Sequence, residues 1–287
     1  MTPSAPKSQV RAFYDQVGWK EVSEGLYQNA KYEDLRPVSR EYIEKCHLRV
    51  KRYLPPQGKY LLDAGSGPIQ YPAYLTYSED YQYRVCADIS IVALQEARKR
   101  IGEHGLYVVA DVANLPFKDE AFDGVVSLHT IHHLPREEHP KAYRELYRTL
   151  KPGGSGVAVN GWGWARFSRW VNLPIRVRKI FRRLRGALVR RLRGGQAASK
   201  GGRSQAQAQL KVAYADKYDY RWLLEHVGKE VPLEIRVWRS VNTSALRFYI
   251  HPWLGGRGVL RALFALEEHF PRFLGKHGAY PLVVFRK

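Results

Sequence analysis

The stretch Tyr60-Leu61-Leu62-Asp63-Ala64-Gly65-Ser66-Gly67-Pro68 constrains this chain more than any other. An apolar run that ends in an acid and then a glycine turn is too short for a helix and is bounded by breakers. It therefore reads as a buried parallel strand presenting its C-terminal end to a ligand. Gly65 and Gly67 permit positive φ and let the backbone approach a ligand closely, which a Cβ would prevent. Two further runs repeat the pattern. Tyr83-Arg84-Val85-Cys86-Ala87-Asp88-Ile89-Ser90 places an acid 21 positions after Gly67, where a doubly wound fold holds ribose hydroxyls. Leu106-Tyr107-Val108-Val109-Ala110-Asp111-Val112 again ends apolar-then-acid, with Asn114-Leu115-Pro116-Phe117 behind it. Three strands thus bring Asp63, Asp88 and Asp111 to one sheet edge.

As a set these residues resemble the class I S-adenosylmethionine-dependent methyltransferases, in particular the small-molecule group typified by the quinone-biosynthesis methyltransferases. Asp63-Ala64-Gly65-Ser66-Gly67 matches the family's first motif, Asp88 its ribose acid and Asp111-Val112 its adenine-binding pair. Leu150-Lys151-Pro152-Gly153-Gly154 matches the turn before its fifth strand. The match runs from about Val50 to Asn160. It departs after Gly67, where the family often has a third glycine and this chain has Pro68-Ile69-Gln70, at the methionine end of the cofactor site.

The resemblance implies S-adenosyl-L-methionine as cofactor and an α/β fold: a doubly wound, Rossmann-like, seven-stranded sheet with an antiparallel last strand. It places Asp88 on the ribose, Ile89 against the adenine face, Asp111 and the Val112 N–H on the adenine edge, and Gly65, Ser66 and Gly67 in the turn. Asp63 would order that turn or a water near the cofactor's amino group. The loop His129-Thr130-Ile131-His132-His133 after the fourth strand would run past the transferred methyl, with His129 toward the cofactor. His132 or His133 is then the base or the group that orients the acceptor. Tyr14, on the helix expected over Val10 to Trp19, is a lid residue by the same resemblance.

At 287 residues the chain holds one large α/β core and an accessory element. We read residues 1–54 as a helical cap, 55–161 as the cofactor-binding core, 162–215 as a basic amphipathic insertion with a flexible linker, and 216–287 as the completion of the core. No apolar run is long enough to span a bilayer and no hydrophobic leader opens the sequence, which predicts a cytoplasmic protein. Only Cys46 and Cys86 occur, so neither a structural disulfide nor a cysteine zinc site is expected. His132 and His133 are adjacent with no evident third ligand, so no metal is expected either.

The formal charge is +20, and 14 Lys or Arg with no acid lie between Asn160 and Ala215. On a helix, Trp170, Leu173, Val177, Ile180, Phe181, Leu184, Leu188 and Leu192 form one stripe, interrupted at Pro174 and Gly186. Arg178, Lys179, Arg182, Arg183, Arg190 and Arg193 fall outside it. This is the pattern of an interfacial helix, so Arg166 to Arg203 is expected to meet an anionic membrane surface at its inner face. The competing expectations are a stripe packed on the core beside the acceptor pocket, and a nucleic-acid surface. Gly194 to Gly202 reads as the linker.

The predicted function is methyl transfer to a small-molecule or lipid-like acceptor. An RNA or DNA methyltransferase is suggested by charge, but no Asn-Pro-Pro-Tyr-type motif follows the fourth strand and no Pro-Cys nucleophile is present. A non-catalytic cofactor-binding protein with a basic interaction segment is a further alternative. A dinucleotide oxidoreductase is disfavoured by the Asp-x-Gly-x-Gly spacing and by Asp111-Val112, which resemble the methyltransferase pattern.

Overall fold

The structure, a computed structural model, describes residues 5–19, 21–23, 26–28, 33–192 and 214–287. Its centre is a seven-stranded sheet. In chain order the strands are β3 (Gly58–Ala64), β4 (Tyr81–Asp88), β5 (Gly105–Val109), β6 (Phe122–Leu128), β7 (Leu150–Val159), β8 (Leu233–Arg239) and β9 (Tyr280–Arg286). They lie in the order β5-β4-β3-β6-β7-β9-β8. β3 to β7 pair in parallel and β9 runs antiparallel to both of its neighbours. The expected doubly wound sheet with its reversed last strand is therefore present. A separate antiparallel pair, β1 (Glu21–Ser23) with β2 (Leu26–Tyr27), stands near the N-terminus.

Both faces of the sheet are covered because successive strand residues point to opposite sides. Leu62, Val85, Val125, Ala158 and Val283 join the core on one face. Their chain neighbours Leu61, Cys86, Val126, Val157 and Leu282 join the core on the other. A third cluster packs Tyr42, Ile43 and Cys46 against Ala245, Leu246 and Leu260.

The N-terminal helix α1 (Ala5–Phe13) continues into a π-helical turn, Tyr14–Gly18. The C-terminal part of the segment read as a helical cap forms α2 (Arg40–Leu48) and a 3₁₀ turn, Val50–Tyr53. A short helix α3 (Pro72–Leu75) follows the glycine turn. α4 (Ile91–Ile101) is capped by Ser90, whose side chain accepts the Ala93 N–H. α5 (His139–Thr149) leads into β7. The helix Thr243–Tyr249 was not legible from sequence.

Two expectations need correction. Lys151-Pro152-Gly153-Gly154 does not precede the fifth strand but lies inside β7. There the register jumps from Phe122↔Leu150 to Gly124↔Ser155, so the predicted turn survives as a bulge, with Gly153 at φ +77°. The basic segment is not broken at Pro174: α6 (Arg166–Leu192) runs through it. Phe167, Val171 and Ile175 pack α6 on the third cluster, about 80° to 160° around the helix from Val177 at 100° per residue. The predicted stripe therefore does not dock on the core. Trp170 is 75 % exposed, Phe181 67 % and Leu184 61 %, and Leu173, Val177 and Ile180 are exposed with them. The side chains of Leu188 and Leu192, and the linker Gly194 to Gly202, lie outside the described residues.

Candidate active site

Beyond the ends of β3 to β7 lies a cavity of about 380 Å³. Tyr14, Asp63, Gly65, Ser66, Gly67, Asp88, Ile89, Asp111, Val112, His129, His132 and His133 all line it. The topology explains this convergence, since parallel strands deliver all their C-terminal loops to one edge. Lys7, Trp19, Glu33, Lys217 and Arg239 also line the cavity, and sequence reasoning did not single them out.

At one end the backbone is shaped for close approach. Gly65 and Gly67 have φ of +76° and +54°, and a Cβ on Gly65 would fall 2.2 Å from the Thr130 side chain. Asp88 accepts the backbone N–H of Gly67 at 2.9 Å through one oxygen and that of Ser90 at 2.8 Å through the other. Burial pushes its carboxyl up to about 6, against those two donors, which favour the charged form. Each oxygen keeps lone pairs for hydroxyl donors.

Asp63 and Asp111 are engaged by protein cations. Asp63 is buried in an ion pair with Arg84, whose Nε lies 3.1 Å away, and Arg84 Nη1 donates to the Tyr74 carbonyl. Its place in the turn is thus an anchoring one. Asp111 accepts Lys7 Nζ at 2.5 Å, the Ala113 N–H and the Asn114 side-chain amide. Burial would raise its pKa, but these donors hold it below the usual carboxylate range. Lys7 is paired with Glu138 as well.

Lys7 belongs to a cover formed by the N-terminal segment. Trp19 lies over Gly67, where a Cβ would come 3.0 Å from its ring, and it stacks on Tyr14 with centroids 4.9 Å apart. Asp15 accepts the Ser90 hydroxyl. The N-terminal segment that carries Tyr14 is therefore in contact with the loops after β3, β4 and β5.

The histidine loop forms the other end. His133 Nδ1 lies 2.6 Å from the Tyr214 carbonyl, so it carries the proton, and Nε2 is left to accept the Tyr14 hydroxyl at 2.9 Å. Asn160 donates its amide to Tyr143, which leaves its oxygen to accept His132 Nδ1–H at 3.2 Å. His132 Nε2 then bears a lone pair with no protein donor among the described residues. Burial holds all three histidines neutral, His129 at about 3, His133 at about 4 and His132 well below its ordinary value. His129, at φ +57°, packs against Trp238 and Tyr280. That places it on the histidine side of the cavity.

A methyltransferase-domain family model matches residues 62–158, from within β3 almost to the end of β7. The core of this chain is a class I S-adenosylmethionine-dependent methyltransferase domain. The probable tRNA methyltransferase 9B of Mus musculus is 30 % identical over 134 residues, which cover 46 % of this chain and 28 % of that protein. The probable phthiotriol/phenolphthiotriol dimycocerosates methyltransferase 2 of Mycobacterium ulcerans is 28 % identical over 143 residues, 46 % of this chain and 55 % of that one. The chain thus spans between about a quarter and about half of these relatives' lengths. The methyltransferase fold extends beyond the matched segment. The geranyl diphosphate C-methyltransferase of Streptomyces coelicolor A3(2) superimposes with a TM-score of 0.54 over 99 % of both chains at 16 % identity. These matches do not single out the quinone-biosynthesis group.

The residues of the domain fit S-adenosylmethionine. The turn holds Gly65 and Gly67 at positive φ at the edge of the cavity, and Asp88 presents a carboxylate with free lone pairs two loops from the histidines. Among the described residues no group of three or more His, Cys, Asp or Glu has the geometry to hold a metal ion.

Proposed function

We propose that this protein transfers the methyl group of S-adenosylmethionine to a small-molecule or lipid-like acceptor. The observation that carries the reading is a single cavity with Asp88 and the glycine turn at one end and the histidine loop at the other. In this reading Asp88 holds the ribose, Ile89 the adenine face, and Val112 N–H with Asp111 the adenine edge. When bound, the cofactor supplies a methyl carbon activated by a sulfonium, and the acceptor bond forms as the carbon–sulfur bond breaks with its electron pair on sulfur. The chain's part is to align the two molecules and exclude water. A histidine held neutral is a weak base but a ready hydrogen-bond acceptor, so His132 Nε2 orients the acceptor's O–H or N–H. Tyr14, fixed by His133, closes the cavity above it.

The test is S-adenosylhomocysteine formation across a panel of hydroxyl, amine, thiol and carbon acceptors. His132→Ala is expected to leave cofactor affinity within about twofold and to lower turnover at least about tenfold, the worth of one hydrogen bond. Loss of cofactor affinity would show that the division of the cavity is wrong.

The exposed ridge of α6 supports a membrane-peripheral placement. Trp170, Leu173, Val177, Ile180, Phe181 and Leu184 leave their apolar surface in water, beside arginines and with no acid on the helix. No described helix is long and apolar enough to cross a membrane, whereas an apolar ridge between basic flanks suits the surface of an anionic bilayer. RNA is the second reading, favoured by the same arginines and by the likeness to a probable tRNA methyltransferase. The ridge separates them, because phosphate contacts need the arginines and not the aliphatic side chains. The triple variant Ile180→Ser, Phe181→Ser, Leu184→Ser, which leaves the charge unchanged, is expected to lose sedimentation with phosphatidylglycerol vesicles while cofactor affinity is kept. Wild-type protein that ignores these vesicles at physiological salt, yet binds RNA with steep salt dependence, would establish the RNA reading.

A further inference from the structure

We propose that the acceptor carries a carboxylate or phosphate-type anion and that the Lys217 ammonium holds it at the end of the cavity away from the ribose acid. The inference rests on the methyl-transfer reading above and names the substrate class of the same site. Lys217 lines the cavity. Its Nζ lies over Gly161, where a Cβ would come within 3.2 Å of it and 3.4 Å of the Tyr280 ring. Gly161 follows the end of β7, whereas Asp88 ends β4, and the sheet order sets β4 and β7 three strands apart. At the usual spacing between strands that is about 14 Å. Lys217 therefore stands beyond the histidine loop as seen from the cofactor end.

Charge at this end of the cavity is unbalanced. Arg239 is paired with Glu33, and Arg136 with Asp216, the residue before Lys217. Lys217 has no carboxylate or carbonyl partner among the described residues. Lys217 as a residue is exposed, whereas the protein packed around its ammonium lowers its pKa, with no acid opposing that shift. Its neighbours His129, His132 and His133 are neutral and are themselves held so in part by its charge. Arg239, also at the cavity, has a buried Nε–H with no acceptor among the described residues.

An exposed ammonium that lines a cavity and has no carboxylate beside it among the described residues is free to take an anionic ligand. The same charge, together with the cofactor's sulfonium, repels a cationic acceptor. Lysine is a point charge rather than a bidentate fork, so it serves a carboxylate and a phosphate alike.

Protein saturated with S-adenosylhomocysteine, in about 0.15 M salt to screen the arginines of α6, is titrated calorimetrically with benzoate, phenyl phosphate and phenol. The expected result is that one of the two anions binds at least tenfold tighter than phenol, and the tighter anion identifies the head group. Lys217→Met should abolish that preference, Lys217→Arg should keep it within about threefold, and S-adenosylhomocysteine affinity should be the same in all three proteins. Equal binding of phenol and both anions, or anion binding that persists in Lys217→Met, would overturn the proposal while leaving methyl transfer standing. Wild-type protein that fails to bind S-adenosylhomocysteine would overturn the methyl-transfer reading and this proposal with it.

Discussion

Arg84→Met is expected to lower the free energy of unfolding by about 3–5 kcal/mol, the cost of leaving a buried charge without its partner. Arg84 and Asp63 pair diagonally across adjacent parallel strands, Arg84 in register with Leu61 and Asp63 with Cys86, and both are almost wholly buried. Arg84 also donates to the Tyr74 carbonyl and so ties α3 to the sheet directly behind the glycine turn. Methionine keeps the volume but strands the Asp63 carboxylate and frees that carbonyl. The double variant Arg84→Met, Asp63→Leu removes both charges and is expected to recover much of the loss, because replacing a buried pair by apolar groups is often near neutral. Urea denaturation with a two-state fit measures both. A loss below about 1 kcal/mol for Arg84→Met would show that the pair does not anchor the turn.

Asp88→Asn is expected to weaken S-adenosylmethionine binding at least tenfold. Two charge-assisted bonds to ribose hydroxyls are worth about 1.5–3 kcal/mol each, and the amide keeps the shape while losing the charge and one acceptor. The pH dependence gives a second readout. Burial places the Asp88 carboxyl at about 6, and the ribose hydroxyls bind its ionised form. Below that pH a proton must leave before the bonds form, so affinity falls by up to tenfold per pH unit as pH drops from 6, and it levels off above about 7. The asparagine variant has no proton to lose at this position, so subtracting its profile from wild type isolates the contribution of Asp88. Calorimetry between pH 5 and 8 decides it. Parallel profiles for the two proteins would remove Asp88 from the ribose site.

The strands, their order along the chain and the loops that end at Asp63, Asp88, Asp111 and His129 are local facts of the sequence. A strand buried on both faces is apolar over most of its length and stops at a breaker, so a window of about eight residues contains most of its signature. That is why the residues around one sheet edge were legible together, and why all of them line the cavity.

The partners of those residues were decided only by tertiary structure. The Lys7–Asp111 pair joins positions 104 apart, Tyr14–His133 joins positions 119 apart, and Arg239–Glu33 joins positions 206 apart. Nothing local ties either member of such a pair to the other. Arg84 carried the faintest trace, a charge at an inward position of an apolar strand, which demands a buried counter-ion without naming it. The basic helix makes the same distinction. Its period revealed an apolar stripe, but which side meets the protein depends on the surface offered by the C-terminal helices. That surface took Phe167, Val171 and Ile175 and left the stripe in water. A helical pattern reports where apolar side chains gather, whereas burial is a property of two surfaces and exists only once the chain has brought them together.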